Sequence, residues 1–470
     1  MAFEFLKKHG FNLADEVDKI KFGEVETNRG EESIEEDSRF HELKKIVGVR
    51  LPCRPYLWDL QLDKGAVSAI LPHEFNSPPQ KNSPDILEAR GCLIAPSLCH
   101  AHIHLDKCFL LQDPKFSDLQ IVDGDFKEAM NLTTKAKQRF TRSDLLRRGR
   151  QLIIESIRAG VTAMRAFCEV DGDVGMKCLD TGLELKREFE SKCDIQLCAF
   201  AQNPLFGGKD NGEKVRQLIM EAAKKAEVDV LGSTPYVEEN EELELRNLEW
   251  MIDLTLQHSK MLDLHLDYHL DPQKKPLFWD VISLLKQKGW AKKGNRHVTL
   301  GHCTRLTHFT SSEWQKVKAD CHDIPISFVG LPTSDLFMMK TEQQWRGTLH
   351  VPDMIQKHGL EAAIGTNNVG NAFTPQGNCD PLSLACLGVG LYSAGSQTDT
   401  DLLYDCVSCH ARRAIGLRPG NRDFQVGDDA DFVIFKKGYT KLRTRKSIAE
   451  VVYDPPAARI TIKAGVIVSM

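Results

Sequence analysis

Eight short apolar runs recur between residues 92 and 367, each separated from the next by a stretch that reads as helix or loop. They are CLIAPS (92–97), VTAMRAF (161–167), IQLCAFA (195–201), VDVLGS (228–233), MLDLHLD (261–267), HVTLGH (297–302), ISFVGL (326–331) and EAAIGTN (361–367). Near-continuous apolar character marks strands buried on both faces, as in a parallel sheet covered by helices. Helical periods fall between them, over residues 143–158, 176–192, 212–226, 239–258, 277–288 and 311–319, with Ser143 and Asp144 as cap candidates for the first. Eight such units predict an α/β fold, a (β/α)8 TIM-like barrel. An open doubly wound sheet is the competing topology, and periodicity alone does not separate the two.

The two ends of the chain carry strand patterns without alternating helices. KIVGVRLP, YLWDLQL and AVSAIL fall within residues 44–71; GDDADFVIF, AEVVYDPP and ARITIKAGVIV fall within residues 427–468. Neither set is large enough to bury a sheet face alone, so together they predict one small β-sandwich built from both ends. The organisation expected is an N-terminal arm over residues 1–43, a sandwich from residues 44–90 with 420–470, and a barrel over residues 91–419. The arm holds an acidic stretch at residues 31–37 and no readable chemistry.

Composition narrows the partners. With 470 residues, 41% apolar and 27% charged, the chain has material for a large core. A formal net charge of −5 argues against a nucleic-acid binder and for a small-molecule substrate; homo-oligomers are allowed. No apolar run is long enough for a membrane span, and MAFEFLKKHGF lacks the apolar core of a secretory signal, so a cytoplasmic protein is expected. Fourteen cysteines then read as reduced thiols filling space. Cys406, Cys409 and His410 spell CxxCH, but residues 401–415 read as an amphipathic helix and the cysteines as packing.

In a barrel of this class chemistry sits at the carboxyl ends of the strands. His102 and His104 follow the first run, His265 and His302 end the fifth and sixth, and Asn367 ends the eighth. Residues two apart on a strand face the same way, so HxH aims two imidazoles at one point, and a third from His265 makes a three-nitrogen site with an open position. HxH alone more often marks ordinary polar positions; joined to single histidines at two further strand ends it predicts one divalent metal ion, zinc or iron. His100, two residues before His102, joins the candidates for this neighbourhood.

PSLCHAHIHLDK (96–107) resembles the HxH signature of the amidohydrolase superfamily of metal-dependent hydrolases, and its LDK ending resembles the cytosine-deaminase-like branch. CAFAQ (198–202), HLDY (265–268), LGHCT (300–304) and GTNNVGNAFTPQGNCDPL (365–382) follow in the same order, and the resemblance spans residues 44–470. It implies a TIM barrel with a small sandwich and hydrolysis of a C–N bond in a small cyclic amide, amidine or heterocycle. It implies His102, His104 and His265 as metal ligands, His302 as an orienting or polarising group, Gln202 as the reader of a substrate's amide edge and Phe373 as an aromatic over the ring. No lysine ends the fourth run, so a single metal ion is expected.

Two positions depart from that pattern. Asn367 stands where the resemblance implies Asp, and Tyr268 where it implies Glu, the two carboxylates that move protons during hydrolysis. An amide has no comparable basic site, and a general acid or base contributes about 10²–10⁴ in rate. His302, His269, Asp267 and Tyr268 are the groups left near the same end, with His269 also a substrate-binding candidate and Asp267 also readable as a loop buttress. The alternatives are therefore a diverged barrel enzyme with isomerase, lyase or cyclase chemistry, or a non-catalytic binding protein. Asp380 is read as a helix cap.

Overall fold

The computed structural model describes residues 42–74, 83–208, 210–292, 296–339, 341, 347–437 and 442–470. The arm expected over residues 1–43 lies outside them except for its last two positions. Strands β1 (Lys45–Val49), β2 (Trp58–Asp63), β3 (Ala66–Pro72) and β4 (Ile86–Glu88) form a sheet in the order β3-β2-β1-β4. The next strand, β5 (Leu93–Pro96), pairs antiparallel with Phe432–Phe435, far along the chain. CLIAPS is therefore not the first barrel strand. Periodicity shows that a segment is buried but not which partner buries it, and the segment that enters the barrel, LCHAHIH, hides its strand character behind three histidines.

Among the described residues, eight parallel strands pair in chain order: β6 (Leu98–His104), β7 (Val161–Glu169), β8 (Asp194–Ala201), β9 (Val230–Ser233), β10 (Met261–Leu266), β11 (Val298–His302), β12 (Ile326–Gly330) and β13 (Ala362–Ile364). A parallel bridge between Ile103 and Asn367 joins the last strand's extension to the first, with Asn367 N–H donating to His102 O (2.9 Å) and His104 N–H to Asn367 O (2.8 Å). This seam closes the sheet into a barrel and rules out the open doubly wound alternative. Helices α1 (Phe126–Lys137), α2 (Arg142–Arg158), α3 (Lys177–Glu188), α4 (Glu213–Ala223), α5 (Glu241–Gln257), α6 (Phe278–Gln287), α7 (Ser311–Cys321), α8 (Pro332–Met338), α9 (Val351–Gln356) and α10 (Pro381–Leu391) connect and follow the strands. Thr141, not Ser143 or Asp144, caps α2 by accepting from Asp144 N–H, while Asp380 caps α10 through Leu382 N–H, as expected.

The segment read as one helix over residues 401–415 breaks at Val407 and Ser408 into α11 (Gln397–Cys406) and α12 (Cys409–Ala414). Cys406 and Cys409 are buried and unpaired, in line with packing. Of the three C-terminal strand patterns, AEVVYDPP is instead helix α13 (Ile448–Tyr453), capped by Ser447, whose hydroxyl accepts from Glu450 N–H. ARITIKAGVIV is a hairpin whose strands turn at Ala464 and Gly465, both at positive φ. With β14 (Phe432–Phe435), β15 (Arg459–Lys463) and β16 (Val466–Ser469), β5 completes a second sheet in the order β16-β15-β14-β5. Ile46, Leu60 and Val67 of the first sheet share a core with Ile94, Phe432 and Ile462 of the second, so the two sheets from opposite chain ends bury one another.

A larger core fills the layer between barrel and helices, and the barrel interior is closed by its own side chains. There Arg165 donates to Asp263 Oδ2 (2.8 Å), Thr299 Oγ1 (2.6 Å) and Ile415 O (2.9 Å), joining three strands to the end of α12. Among the described residues, no helix is long and apolar enough to cross a membrane.

Candidate active site

The opposite end of the barrel interior collects the histidines. Strand β6 carries one extra residue against β7 between His100 and Ile103, a bulge that breaks the two-residue alternation. His100 consequently turns outward, where its ring meets Ser156 Oγ of α2 (3.0 Å) and Thr366 Oγ1 (3.1 Å). Burial pushes its pKa down to about 3, and it takes no part in the metal neighbourhood. His102 and His104 remain inside, and β10 delivers His265 against both, with ring centroids 4.6 Å and 5.3 Å away.

One ligand atom from each of His102, His104 and His265 lies within 4.8 Å of the others. Both ring nitrogens of His102, Nδ1 of His104 and Nε2 of His265 are buried without a hydrogen-bond partner, as is Oδ1 of Asn367. Orphaned polar atoms in such number are costly unless something takes their lone pairs. Burial holds all three imidazoles well below the ordinary histidine range, and neighbouring positive charge adds to it, so each is kept bare and able to ligate. The donor set fits a divalent cation. Glycines make room for it: a Cβ on Gly301 would stand 3.2 Å from His102 Cε1, and one on Gly365 would stand 3.1 Å from His102 Cβ.

His302 ends β11 with its ring 5.2 Å from that of His265. Its Nδ1 lies 2.7 Å from Asp335 Oδ1, at the start of α8, and Asp335 also accepts from Thr348 Oγ1 (2.6 Å) and Leu331 N–H (3.2 Å). A carboxylate receiving from every side leaves Nδ1 of His302 as the protonated nitrogen and Nε2 as the acceptor. Tyr268 packs on that imidazole with ring centroids 3.8 Å apart, and its hydroxyl donates to Ser334 O (3.4 Å). Asn367 donates from Nδ2 to Ser334 Oγ (2.7 Å), which leaves its carbonyl oxygen as the free end. His302 (φ 65°) and Asn367 (φ 64°) both hold left-handed backbone, which costs about 1–3 kcal/mol per non-glycine residue. The strain sits at strand ends that aim side chains into the pocket.

A pocket opens over these side chains at this end of the barrel. His104, His265, His302, Tyr268 and Asn367 line it together with Gln202 and Phe373, bringing most of the sequence candidates to one place. His269 is half-buried and not among the lining residues; its carbonyl oxygen accepts from Thr304 Oγ1 (3.1 Å). Asp267 binds the amides of Leu277 (2.8 Å) and Phe278 (3.1 Å) at the start of α6, the buttress reading.

Residue-by-residue reading missed Lys107, Asp335 and Glu169. Lys107 lines the pocket, pairs with Glu169 and stands 5.2 Å from the Phe373 ring centroid. Glu169 closes β7 just beyond VTAMRAF, a polar end to a buried strand, and that position is the signal that marks it.

No family model matches the chain. In sequence it is 22% identical over 355 residues to N-isopropylammelide isopropyl amidohydrolase of Pseudomonas sp. (strain ADP), covering 74% of this chain and 81% of the relative. In structure it matches 5-methylcytosine deaminase from Klebsiella pneumoniae with a TM-score of 0.76 at 21% identity, covering 90% of this chain and 97% of that one. N-isopropylammelide isopropylaminohydrolase from Burkholderia multivorans gives a TM-score of 0.70 at 21% identity, over 90% and 97% of the two chains. The resemblance to the amidohydrolase superfamily read from the motifs is borne out in sequence and fold.

Proposed function

We propose that this chain, a barrel of amidohydrolase fold, hydrolyses a C–N bond in a small cyclic amide, amidine or heterocycle. One observation carries the reading: three buried, bare imidazoles from β6 and β10 converge within 4.8 Å beside a fourth that is anchored to a carboxylate. His102, His104 and His265 would hold a divalent ion, zinc or iron by their three-nitrogen donor set, and it would supply Lewis acidity to the attacked group.

The chain's own residues account for the rest. His302 Nε2 accepts the proton of the attacking water, Asp335 stabilises the imidazolium so formed, and the same nitrogen returns the proton to the leaving amine. This places on a histidine–aspartate pair the proton traffic that Asn367 and Tyr268 do not carry. Gln202 offers an amide to the amide edge of the ring, and Phe373 covers its face. Asn367 Oδ1 contributes a neutral oxygen donor toward the cation.

The test is turnover on a panel of pyrimidines, triazines, lactams and cyclic imides, read beside metal content. His265→Ala is expected to lose both metal and turnover, whereas His302→Ala keeps the metal and loses about 10²–10⁴ in rate. Metal-loaded protein that stabilises on a ring without turning any over would point to the binding-protein alternative. Products of unchanged or water-depleted mass would point to isomerase, lyase or cyclase chemistry. That last route gains little from Tyr268: burial, with Asp335 and Tyr236 nearby, raises its hydroxyl well above the ordinary tyrosine range, and Ser334 O already takes its proton. The unpaired cysteines fit a reducing compartment, and the cytoplasm is the proposed location.

A further inference from the structure

The pocket walls carry an uneven charge. Among the described residues that line it, Lys107 is the one ammonium, and no carboxylate is present. Tyr268 and Asn367, where the motif resemblance implies two acids, are both neutral.

Lys107 is held in place from behind. Glu169 accepts from Lys107 with one oxygen and from Lys137 of α1 with the other (2.7 Å), and Lys137 pairs in turn with Asp171. Asp171 also accepts from Asn203 Nδ2 (3.1 Å). Charges therefore alternate along the row from pocket to protein, and the end that faces the pocket is the cation. An ammonium has three donors; Glu169 takes one, and Gln202 Oε1 at 3.5 Å lies at the margin of a second. Donor capacity is left toward the cavity beside Phe373.

We propose that this pocket selects a small ring carrying a negative charge, with a carboxylate substituent seated on Lys107 beside Gln202. Any divalent ion at the three histidines adds to the same field, and in a site so poorly exposed to water attraction of that sign is strong. The inference rests on the reading of this pocket as the substrate site. It does not rest on hydrolysis.

Matched pairs of rings test it: uracil against uracil-6-carboxylate and cytosine against cytosine-5-carboxylate, titrated calorimetrically into zinc-loaded and chelator-treated protein. The carboxylated member is expected to bind at least about tenfold more tightly in both states. Lys107→Met should reduce that ratio to below about threefold, and Tyr268→Glu, which places an acid in the pocket, should abolish or invert it. Equal or tighter binding of the uncharged rings by the unaltered protein overturns the proposal, as does a ratio unmoved in folded Lys107→Met. Should Lys107→Met fail to fold, an unmoved ratio in Tyr268→Glu overturns it instead. An intact anion preference without turnover on any ring would sink the hydrolase reading and leave this one standing.

Discussion

At the residue scale the account turns on the division of labour between His302 and the two replaced positions. Asp335→Asn keeps the volume but removes the charge opposite His302 Nδ1. It is expected to lower kcat about 10²-fold or more while metal content stays at the level of the unaltered protein, checked by steady-state kinetics beside elemental analysis. A fall in metal content of the same size would make Asp335 a support of the metal site instead. Asn367→Asp adds the negative charge that the three imidazoles lack, so metal should survive higher chelator concentrations than in the unaltered protein. Unchanged retention would place Asn367 Oδ1 away from the cation.

At the scale of elements, the glycines and ion pairs that hold the strand ends are as telling as the histidines. A methyl on Gly365 would stand 2.9 Å from Leu331 Cδ2 and 3.1 Å from His102 Cβ. Gly365→Ala is therefore expected to cost about 1–3 kcal/mol in denaturant melts and to loosen the metal site with it. Burial alone would raise the Glu169 carboxyl, but Lys107 and Lys137 outweigh it and hold that group below the ordinary glutamate range. A depressed carboxyl stabilises the fold above the unfolded-state pKa and loses that contribution as pH falls below it. Stability should thus decline as pH falls from about 5 through about 2, and Glu169→Gln should flatten that decline. The seven later runs, from VTAMRAF to EAAIGTN, and the convergence of His102, His104 and His265 were legible in the chain because burial on both faces and the two-residue strand period leave direct marks. The bulge that turns His100 away was not legible, since an inserted residue changes facing without changing composition. Nor was the pairing of Leu93–Pro96 with Phe432–Phe435, which depends on a partner more than three hundred residues away. Tyr453 closes a short helix whose apolar run reads equally well as a strand.

At the scale of the molecule, the barrel is closed at one end by charge and at the other by chemistry. Arg165 and Asp263 are fully buried and tie β7 to β10. Asp263→Ala, which strands the guanidinium, is expected to lower the unfolding free energy by about 3–5 kcal/mol in chemical denaturation. At the other end, the seam that closes the sheet runs through His102, His104 and Asn367, so the strand pair that closes the barrel also completes the site. The claim that most depends on this architecture is that imidazoles from β6 and β10 share one cation. Elemental analysis by mass spectrometry of protein loaded with zinc or iron(II) and then desalted tests it directly. One metal ion per chain, lost in His102→Ala and in His265→Ala, is the result expected. No retained metal, or metal retained undiminished in both variants, would contradict it.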